Sequence, residues 1–189
     1  GMFLNTKKEG ELASVMCHEL AHLSQRHYAR SQNRSSPLAN ALMVLGSIAV
    51  AAASRNPEAL MIAPAAMQQM SINFTRSNEK EADRIGFNNL VKAGFDPNDM
   101  SAMFQRMQDK YQNEDSEEFS YLMTHPLPSE RLTDMRIRAE NLPKSSRNSY
   151  RDNIDFYLMQ KRVELWAEKD TNKLLRKYKK EIKSKNKNI

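Results

Sequence analysis

The sequence is poor in residues that build turns and crosslinks. Its 189 residues include five glycines, seven prolines and a single cysteine, Cys17. A lone cysteine excludes a disulfide within the chain, and the shortage of turn formers argues against a sandwich or barrel of many short strands. The hydrophobic share of 40% nevertheless suffices for one substantial core, and helix formers, twelve methionines among them, are plentiful. We therefore predict a globular, mainly α fold.

No hydrophobic run reaches the length usually needed to cross a bilayer. The most apolar segment, residues 38–53, has 16 residues and contains polar interruptions, whereas a spanning helix needs about 20 residues. We predict a buried or groove-lining helix here, with peripheral contact to a membrane surface as the alternative. The methionine-rich stretch 58–70 is predicted to be helical, with its methionines filling the core. The sequence begins without a recognisable signal peptide.

Positive charge is concentrated at the C-terminal end. The formal net charge is +6, but residues 169–189 hold nine of the 29 basic residues and two of the 23 acidic ones. The rest of the chain therefore has 20 basic and 21 acidic residues, a net charge of −1. Tyr178 is the one aromatic residue in this tail, whereas single-stranded nucleic acid is usually bound on several. We interpret the tail as a solvated helix end and expect no nucleic-acid partner.

Breaking and capping residues divide the chain into successive helices. Apolar residues at helical spacing predict a helix from Glu9 to about Arg30. Asn78 has the capping spacing relative to Glu81, with a helix that runs in continuously from the methionine-rich stretch as the alternative. Further helices are predicted at residues 96–111, 129–141, 151–168 and 171–185.

These elements suggest three parts of the chain. Residues 1–142 form the main domain, residues 143–150 form a polar linker, and residues 151–189 form a helical hairpin with the basic tail. A single hairpin cannot bury its own apolar face. We therefore predict that this one begins a helical repeat region of the tetratricopeptide-like kind.

The first predicted helix carries the motif His18-Glu19-Leu20-Ala21-His22. Residues four apart on a helix point to nearly the same side, so both imidazoles project from one face, as two ligands of a tetrahedral zinc ion must. Glu19 lies beside this face, within reach of a metal-bound water without being a ligand. The motif therefore predicts zinc, and a histidine simply packed in a buried helix is the alternative.

A third ligand would decide between these alternatives. One extended form of the motif needs glycine and histidine at positions where this chain has Gln25 and Tyr28, so that class is excluded. His27 lies nine residues past His18, on the opposite side of a continuous helix, and is predicted to be packed or to cap the helix. The remaining source of a ligand is a second helix.

Glu79 and Asp83 stand four residues apart and share a face of that second helix. The first can bind zinc while the second accepts a hydrogen bond from the other ring nitrogen of a ligand histidine. The alternative is a solvated acidic stretch at the start of a helix. Downstream of the histidine motif, a metal site is the preferred interpretation.

A stiff loop with two prolines, residues 124–128, carries another candidate. His125 would either donate to the oxyanion formed during attack on a carbonyl, or bind zinc as a fourth ligand in place of water. The alternative is that it merely forms the turn. Arg131, one turn into the next helix, is predicted either to anchor the loop to an acidic neighbour or to be a plain surface charge.

Three ordered segments, ELASVMCHELAHLSQRHYAR, NEKEADRIGFNNLVKAGFDP and THPLPSERL, together resemble the HtpX/CAAX-protease family of zinc peptidases, metallopeptidase family 48. They are most similar to its soluble periplasmic, BepA-like branch. The resemblance extends from about Leu4 to Leu142 and implies a zincin-like (gluzincin) helical core. Relatives place a substrate-binding sheet before the first motif, whereas this chain begins 17 residues before His18. We therefore expect residues 1–142 to be a partial zinc metallopeptidase domain that lacks its N-terminal sheet and cleaves poorly.

The resemblance also implies the roles of individual residues. The loop lies over the cleft in this branch, which favours His125 as the fourth ligand. The remaining implied roles are zinc (Zn2+) ligation by His18, His22 and Glu79, catalysis as a base by Glu19, and orientation of a ligand histidine by Asp83.

By this resemblance the chain is a zinc endopeptidase that hydrolyses peptide bonds through a metal-activated water. The resemblance implies a periplasmic location, substrates among misfolded outer-membrane proteins, and partners in the outer-membrane assembly machinery. Self-association through surfaces that the missing part would cover is also expected. The alternative function is a non-catalytic chaperone or binding module with a structural or vestigial metal site.

Overall fold

Helices dominate the part of the chain that the computed structural model describes, which comprises residues 2–32, 36–113, 121–122, 124–143 and 153–185. No strand occurs within these ranges, so the predicted mainly α class is confirmed. The predicted linker lies outside them except for Pro143. The helices are α1 (Met2–Asn5), α2 (Glu9–Ser24), α3 (His27–Gln32), α4 (Pro37–Ser54), a 3-10 helix (Pro57–Met61), α5 (Ile62–Lys92), α6 (Asn98–Asn113), α7 (Ser129–Asn141), α8 (Ile154–Ala167) and α9 (Thr171–Lys185).

The first predicted helix is broken near its C-terminal end. α2 ends at Ser24 and α3 begins at His27, because Arg26 adopts a left-handed backbone conformation with a φ of 54°. Its backbone N–H bonds to the carbonyl three residues earlier at 3.0 Å, which closes the helix at a position that commonly holds glycine. The single helix predicted over residues 9–30 is therefore wrong, since neither glycine nor proline marks this break.

α5 runs for 31 residues without interruption. Asn78 lies buried in its middle and does not cap a helix, so the predicted cap is wrong and the alternative of a continuous helix is confirmed. α5 stops at Lys92, just before Gly94, whose φ of 88° is readily adopted by glycine. This length lets one helix contact α4 near its start and α2 and α7 further along.

The main core lies where the C-terminal half of α5 meets α6 and α7. Burying a large apolar side chain contributes about 2 kcal/mol, so this cluster holds the three helices in a fixed arrangement. A smaller cluster of Val15, Met103 and Met107 packs α2 against α6. The buried residues of the main cluster are Phe87, Leu90, Met100, Phe104, Leu132, Met135 and Ala139.

Small residues line the contact between α2 and α5. Ala21 of α2 and Ala82 of α5 are both fully buried. A Cβ atom at Gly86 would lie 3.0 Å from the backbone of His18, so the close approach of the two helices depends on glycine there. This packing sets the face of α5 with the predicted acidic residues against the histidine face of α2.

α4 departs most clearly from the sequence prediction. It is long and apolar enough to cross a membrane by length and composition, yet only 6% of that span is buried. Leu42 and Ile48 are exposed, so the predicted burial of residues 38–53 is wrong. Met61, in the following stretch, is likewise exposed rather than part of the core. The physical reason is that α4 contacts chiefly the 3-10 helix and α5, which cover one side of it.

α8 and α9 follow close to their predicted positions. Glu164 of α8 accepts a hydrogen bond from the Tyr178 hydroxyl of α9 at 2.9 Å. At the other end, Phe156 packs edge to face on Phe3 of α1 with ring centroids 5.4 Å apart, and Gln160 donates to the Phe3 carbonyl at 2.9 Å. α8 is therefore attached to the N-terminal helix of the chain.

Candidate metal centre and active site

Three side chains from α2 and α5 meet at one point. His18 Nε2 lies 3.0 Å from His22 Nε2 and 3.4 Å from Glu79 Oε2. His22 Nε2 lies 3.3 Å from Glu79 Oε1. His18 and Glu79 are buried, whereas His22 is partly exposed. The helical spacing within α2 aligns the two imidazoles, and the packing of α5 supplies the carboxylate.

His125 joins these three residues from the loop between α6 and α7. Its Nδ1 lies 3.0 Å from Glu79 Oε1. Its ring centroid is 5.4 Å from that of His18 and 5.0 Å from that of His22. One ligand atom from each of the four residues lies within 4.8 Å of the others. The structure thus places His125 in the cluster rather than at its edge.

Asp83 and Arg131 form a buried ion pair behind His18. Arg131 donates to the two carboxylate oxygens of Asp83 at 2.6 and 2.7 Å and to the Pro126 carbonyl at 2.5 Å. Asp83 Oδ1 lies 3.0 Å from His18 Nδ1, the ring nitrogen that faces away from Glu79, although the N–H direction is not ideal. Arg131 is therefore a buried anchor that joins α5 to the proline loop, and not a surface charge.

Glu19 lies at the mouth of the cluster. Its side chain is 40% exposed, and its Oε1 is 3.7 Å from His125 Nε2. The same oxygen accepts a hydrogen bond from the Tyr121 hydroxyl at 2.9 Å. Burial and the neighbouring Glu19 carboxylate raise the pKa of Tyr121 well above its usual range, so its hydroxyl stays a donor.

Tyr121 was not predicted from the sequence. Its ring stacks on His125 with the centroids 4.6 Å apart. Tyr121 belongs to no sequence motif. It stands four residues before His125, a spacing that brings two side chains together on a helix. The sequence alone does not indicate that a helical turn precedes His125.

His22 has a second partner that the sequence did not predict. The turn at Arg26 brings His27 back against α2, where its Nδ1 lies 2.8 Å from His22 Nδ1. His27 is buried, and its Nε2 lies 3.1 Å from Glu81 Oε2. The same Glu81 oxygen accepts a hydrogen bond from Arg30 at 3.0 Å. In a continuous helix His27 would have pointed to the opposite side.

The cluster is electrostatically suited to a positive charge. Burial opposes charge on His18, but hydrogen bonding to Asp83 and Glu79 outweighs it and raises the pKa of His18 to about 9. Burial also opposes charge on Glu79, yet the three histidines and Arg131 hold the pKa of this carboxyl well below its usual range. A buried carboxylate that stays ionised beside three imidazoles favours a bound cation.

The donor set fits a divalent metal ion. The two Nε2 atoms of α2 face each other at hydrogen-bond distance, so a shared proton or a cation is needed between them. Glu79 Oε2 is buried, and although Arg131 lies 2.8 Å away, no donor among the described residues is aligned with it as a hydrogen bond. Two histidines and one carboxylate form a ligand set of catalytic zinc sites.

An H-E-x-x-H helix whose histidines meet a carboxylate from a second helix is the arrangement of a metallopeptidase centre. Residues 1–139 match peptidase family M48, and the chain belongs to this family. The resemblance seen in the three sequence segments is therefore confirmed.

The relatives that this chain resembles in sequence are named as proteases. The beta-barrel assembly-enhancing protease of Escherichia coli K12 is 42% identical over 172 residues, which cover 86% of this chain and 33% of the relative. The protein of the same name from Yersinia pestis is 43% identical over 161 residues, 79% of this chain and 32% of the relative. A mitochondrial metalloendopeptidase of Schizosaccharomyces pombe is 30% identical over 132 residues, 70% of this chain and 37% of the relative. The chain spans about a third of the length of these relatives.

Proposed function

We propose that this protein is a zinc-dependent endopeptidase. The observation that carries the proposal is the convergence of His18, His22 and the buried Glu79 carboxylate on one point. Membership of peptidase family M48 supports it. When bound, zinc would activate a water molecule and polarise the carbonyl of the peptide bond.

Glu19 is the proposed general base. Its partly exposed carboxylate lies where a substrate would enter, next to the buried ligands and not among them. It takes a proton from the attacking water and returns it to the leaving amine. The Tyr121 hydroxyl donates to one of its two oxygens, and an ionised carboxylate has further lone pairs with which to accept this proton.

His125 is proposed to close the site as a fourth ligand. The contact with Glu79 at 3.0 Å and the proximity of both other imidazoles support this role over that of an oxyanion donor. The contacts that hold the loop in place include the stacking of Tyr121 on the ring and the hydrogen bond from Arg131 to Pro126. Movement of the loop would then open a coordination position.

A second function is supported by the same four-residue cluster. Structural zinc is closed by four protein ligands, whereas catalytic zinc keeps a position open for water. Since His125 supplies a fourth candidate ligand, a non-catalytic chaperone or binding module with a structural metal would share this geometry. Cleavage of a polypeptide separates the two functions.

We also propose a place in outer-membrane protein quality control in the periplasm. The support is the name of two relatives, beta-barrel assembly-enhancing protease, which links them to beta-barrel assembly. Misfolded outer-membrane proteins are the proposed substrates and the assembly machinery a proposed partner. The exposed apolar α4 supports peripheral membrane contact through residues 38–53 and is also available for self-association.

The proposed division into domains is unchanged. A partial metallopeptidase domain extends over residues 1–142, a linker over residues 143–150, and a helical hairpin that begins a repeat region over residues 151–189. Limited proteolysis that cuts first within residues 143–150 supports this division, and a first cut inside residues 1–142 contradicts it.

Replacement of the base tests the proposed activity. We expect Glu19→Gln to lower the rate of cleavage of an unfolded polypeptide by about 10²- to 10⁴-fold, because glutamine keeps the shape but accepts no proton. Zinc content, measured by atomic absorption, should stay unchanged because Glu19 is not a ligand. The matched control is Glu58→Gln, the same substitution at an exposed glutamate distant from Glu19 in the sequence. Cleavage at the same rate in Glu19→Gln contradicts the proposal.

A further inference from the structure

The two histidines of α2 each turn one ring nitrogen toward Glu79 and the other away from it. For His18 the outer nitrogen, Nδ1, faces the Asp83 carboxylate. For His22 the outer nitrogen faces another imidazole, that of His27, which in turn contacts Glu81. We propose that His27 and Glu81 are positioning residues that hold His22 in the ring orientation and tautomer required for metal binding. This inference rests on the proposed zinc site.

The hydrogen-bond geometry allows one proton arrangement in which His22 can bind a metal. A ligand nitrogen must be unprotonated, so with Nε2 toward the cluster the ring proton of His22 is on Nδ1. That Nδ1–H donates to His27 Nδ1 over 2.8 Å. His27 then carries its own proton on Nε2 and donates it to Glu81 Oε2 over 3.1 Å. Both hydrogen bonds, from His22 to His27 and from His27 to Glu81, then have one donor and one acceptor.

The opposite arrangement blocks the metal site. If His27 donated from Nδ1, His22 would accept with Nδ1 and carry its proton on Nε2, the nitrogen that faces Glu79. His27 Nε2 would then present a lone pair to the Glu81 carboxylate, and two acceptors would face each other. The Glu81 charge therefore favours the arrangement in which His22 Nε2 is free to bind.

The surrounding structure keeps this chain of contacts in place. His27 is 4% exposed, and the left-handed turn at Arg26 directs it back toward α2. Glu81 belongs to α5, the helix that also carries Glu79, and Arg30 of α3 holds the same Glu81 oxygen at 3.0 Å. The turn and α3 thus connect the carboxylate helix to the second ligand histidine.

Metal affinity tests the inference directly. In the 189-residue chain, His27→Ala should weaken zinc binding by about 10- to 100-fold in competition with a chromophoric chelator, the usual effect of removing an orienting partner. His27→Asn should retain most of the affinity, because the amide oxygen supplies an acceptor near the position of Nδ1. A residue that only filled space would show no such rescue.

Glu81 provides a test that does not depend on a buried substitution. Because its side chain is partly exposed, Glu81→Ala should fold normally and still weaken zinc binding several-fold. Tyr28→Ala, an exposed change next to His27 on α3, should leave the affinity unchanged. In the zinc-free protein, where no metal fixes the tautomer, ring 15N spectra should show His22 with its proton on Nδ1, and this preference should be lost in His27→Ala.

The outcomes separate this inference from the proposed function. Zinc binding that is lost in Glu79→Ala but unchanged in His27→Ala and Glu81→Ala overturns the role of the two positioning residues alone. Zinc binding that is insensitive to Glu79→Ala overturns the proposed function itself. If His27→Ala does not fold, the Glu81→Ala affinity and the His22 tautomer decide the question.

Discussion

At the residue scale, the outer nitrogens of the two α2 histidines are covered in different ways. His18 meets a carboxylate that Arg131 fixes through two hydrogen bonds. His22 contacts the neutral imidazole of His27, and the nearest carboxylate on that side, Glu81, contacts the far nitrogen of the His27 ring. The orientation of His18 therefore depends on the α5 and α7 contact, and that of His22 on the turn between α2 and α3.

His125 is the residue whose replacement separates the proposed roles of the loop. If it closes the site, His125→Ala removes a competing ligand and should raise polypeptide cleavage by about tenfold, the gain expected when a closed state holds some nine in ten molecules. Zinc should remain bound through the other three ligands. Thr124→Ala, an exposed change in the same loop, is the control. Loss of zinc together with lower folding stability would instead indicate a structural site, and a slower reaction with zinc retained would indicate an oxyanion donor.

Residue spacing predicted part of this site and missed the rest for a physical reason. The spacing within a helix is regular, so the shared face of His18 and His22, and that of Glu79 and Asp83, follow from the sequence. The contribution of His27 depends on a left-handed turn at Arg26, a residue type that gives no signal for such a turn. The contribution of Tyr121 depends on how the proline loop places His125 against its ring.

At the element scale, the apolar pattern of α2 predicted a helix but not its buried face. Met16, Leu20 and Leu23 repeat at helical spacing, yet all three are exposed. The side that packs on the rest of the protein carries Val15 together with the polar Ser14 and His18. Polar residues are buried here because the histidine and carboxylate cluster lies in the contact with α5, a requirement that hydrophobic periodicity does not show.

The close crossing of α2 and α5 is tested by Gly86→Ala. The added Cβ atom would lie 3.0 Å from the backbone N and Cα of His18, and backbone atoms cannot move aside alone. We expect destabilisation of about 1–3 kcal/mol in urea unfolding, together with weaker zinc binding, because the two helices must separate.

Gly46→Ala in α4 is the matched control for that experiment. Beyond its chain neighbours and its own helix backbone, nothing in the described part of the chain lies within 4 Å of the added Cβ, so alanine should be neutral or stabilise the helix by up to about 1 kcal/mol. Equal effects of the two substitutions would show that the helix crossing does not need glycine.

At the scale of the whole molecule, the free energy of unfolding is predicted to fall as the pH rises through the pKa of a buried carboxyl group, that of Asp99. Burial, together with Asp96 and Glu11, outweighs the nearby Lys8 and raises the pKa of Asp99 from 3.8 to about 6. Because the folded protein binds this proton more tightly than the unfolded chain, the stabilisation is complete below pH 3.8 and is lost above about pH 6. The junction between the start of α2 and α6 is therefore less stable at neutral pH.

Asp99→Asn should remove this pH dependence. We expect the variant to be more stable than the parent chain by about 1–2 kcal/mol at pH 7 and to lose most of that advantage at pH 4, in urea unfolding at both values. Asp109→Asn, an exposed change on the same helix, should show no such difference. A variant that is less stable than the parent chain at pH 7 would mean that the ion pair with Lys8 outweighs the burial of Asp99.

The exposed surface of the molecule is the feature that the sequence predicted least well. Apolar composition in residues 38–53 suggested burial, but burial depends on a second layer of structure, and α4 contacts chiefly the 3-10 helix and α5. The core of α5, α6 and α7, by contrast, lies in segments that the sequence predicted to be helical. Whether a helix is covered depends on the segments and partners that pack on it. The hydrophobic periodicity of the helix itself does not show which these are.

The most direct test of the central claim is the zinc content of the purified chain, with and without the carboxylate of α5. We expect about one zinc ion per chain for the parent protein and loss of that zinc in Glu79→Ala, with retention in the exposed control Glu58→Ala. Stoichiometric zinc that persists in Glu79→Ala, or a parent chain that binds none at micromolar zinc, would contradict it.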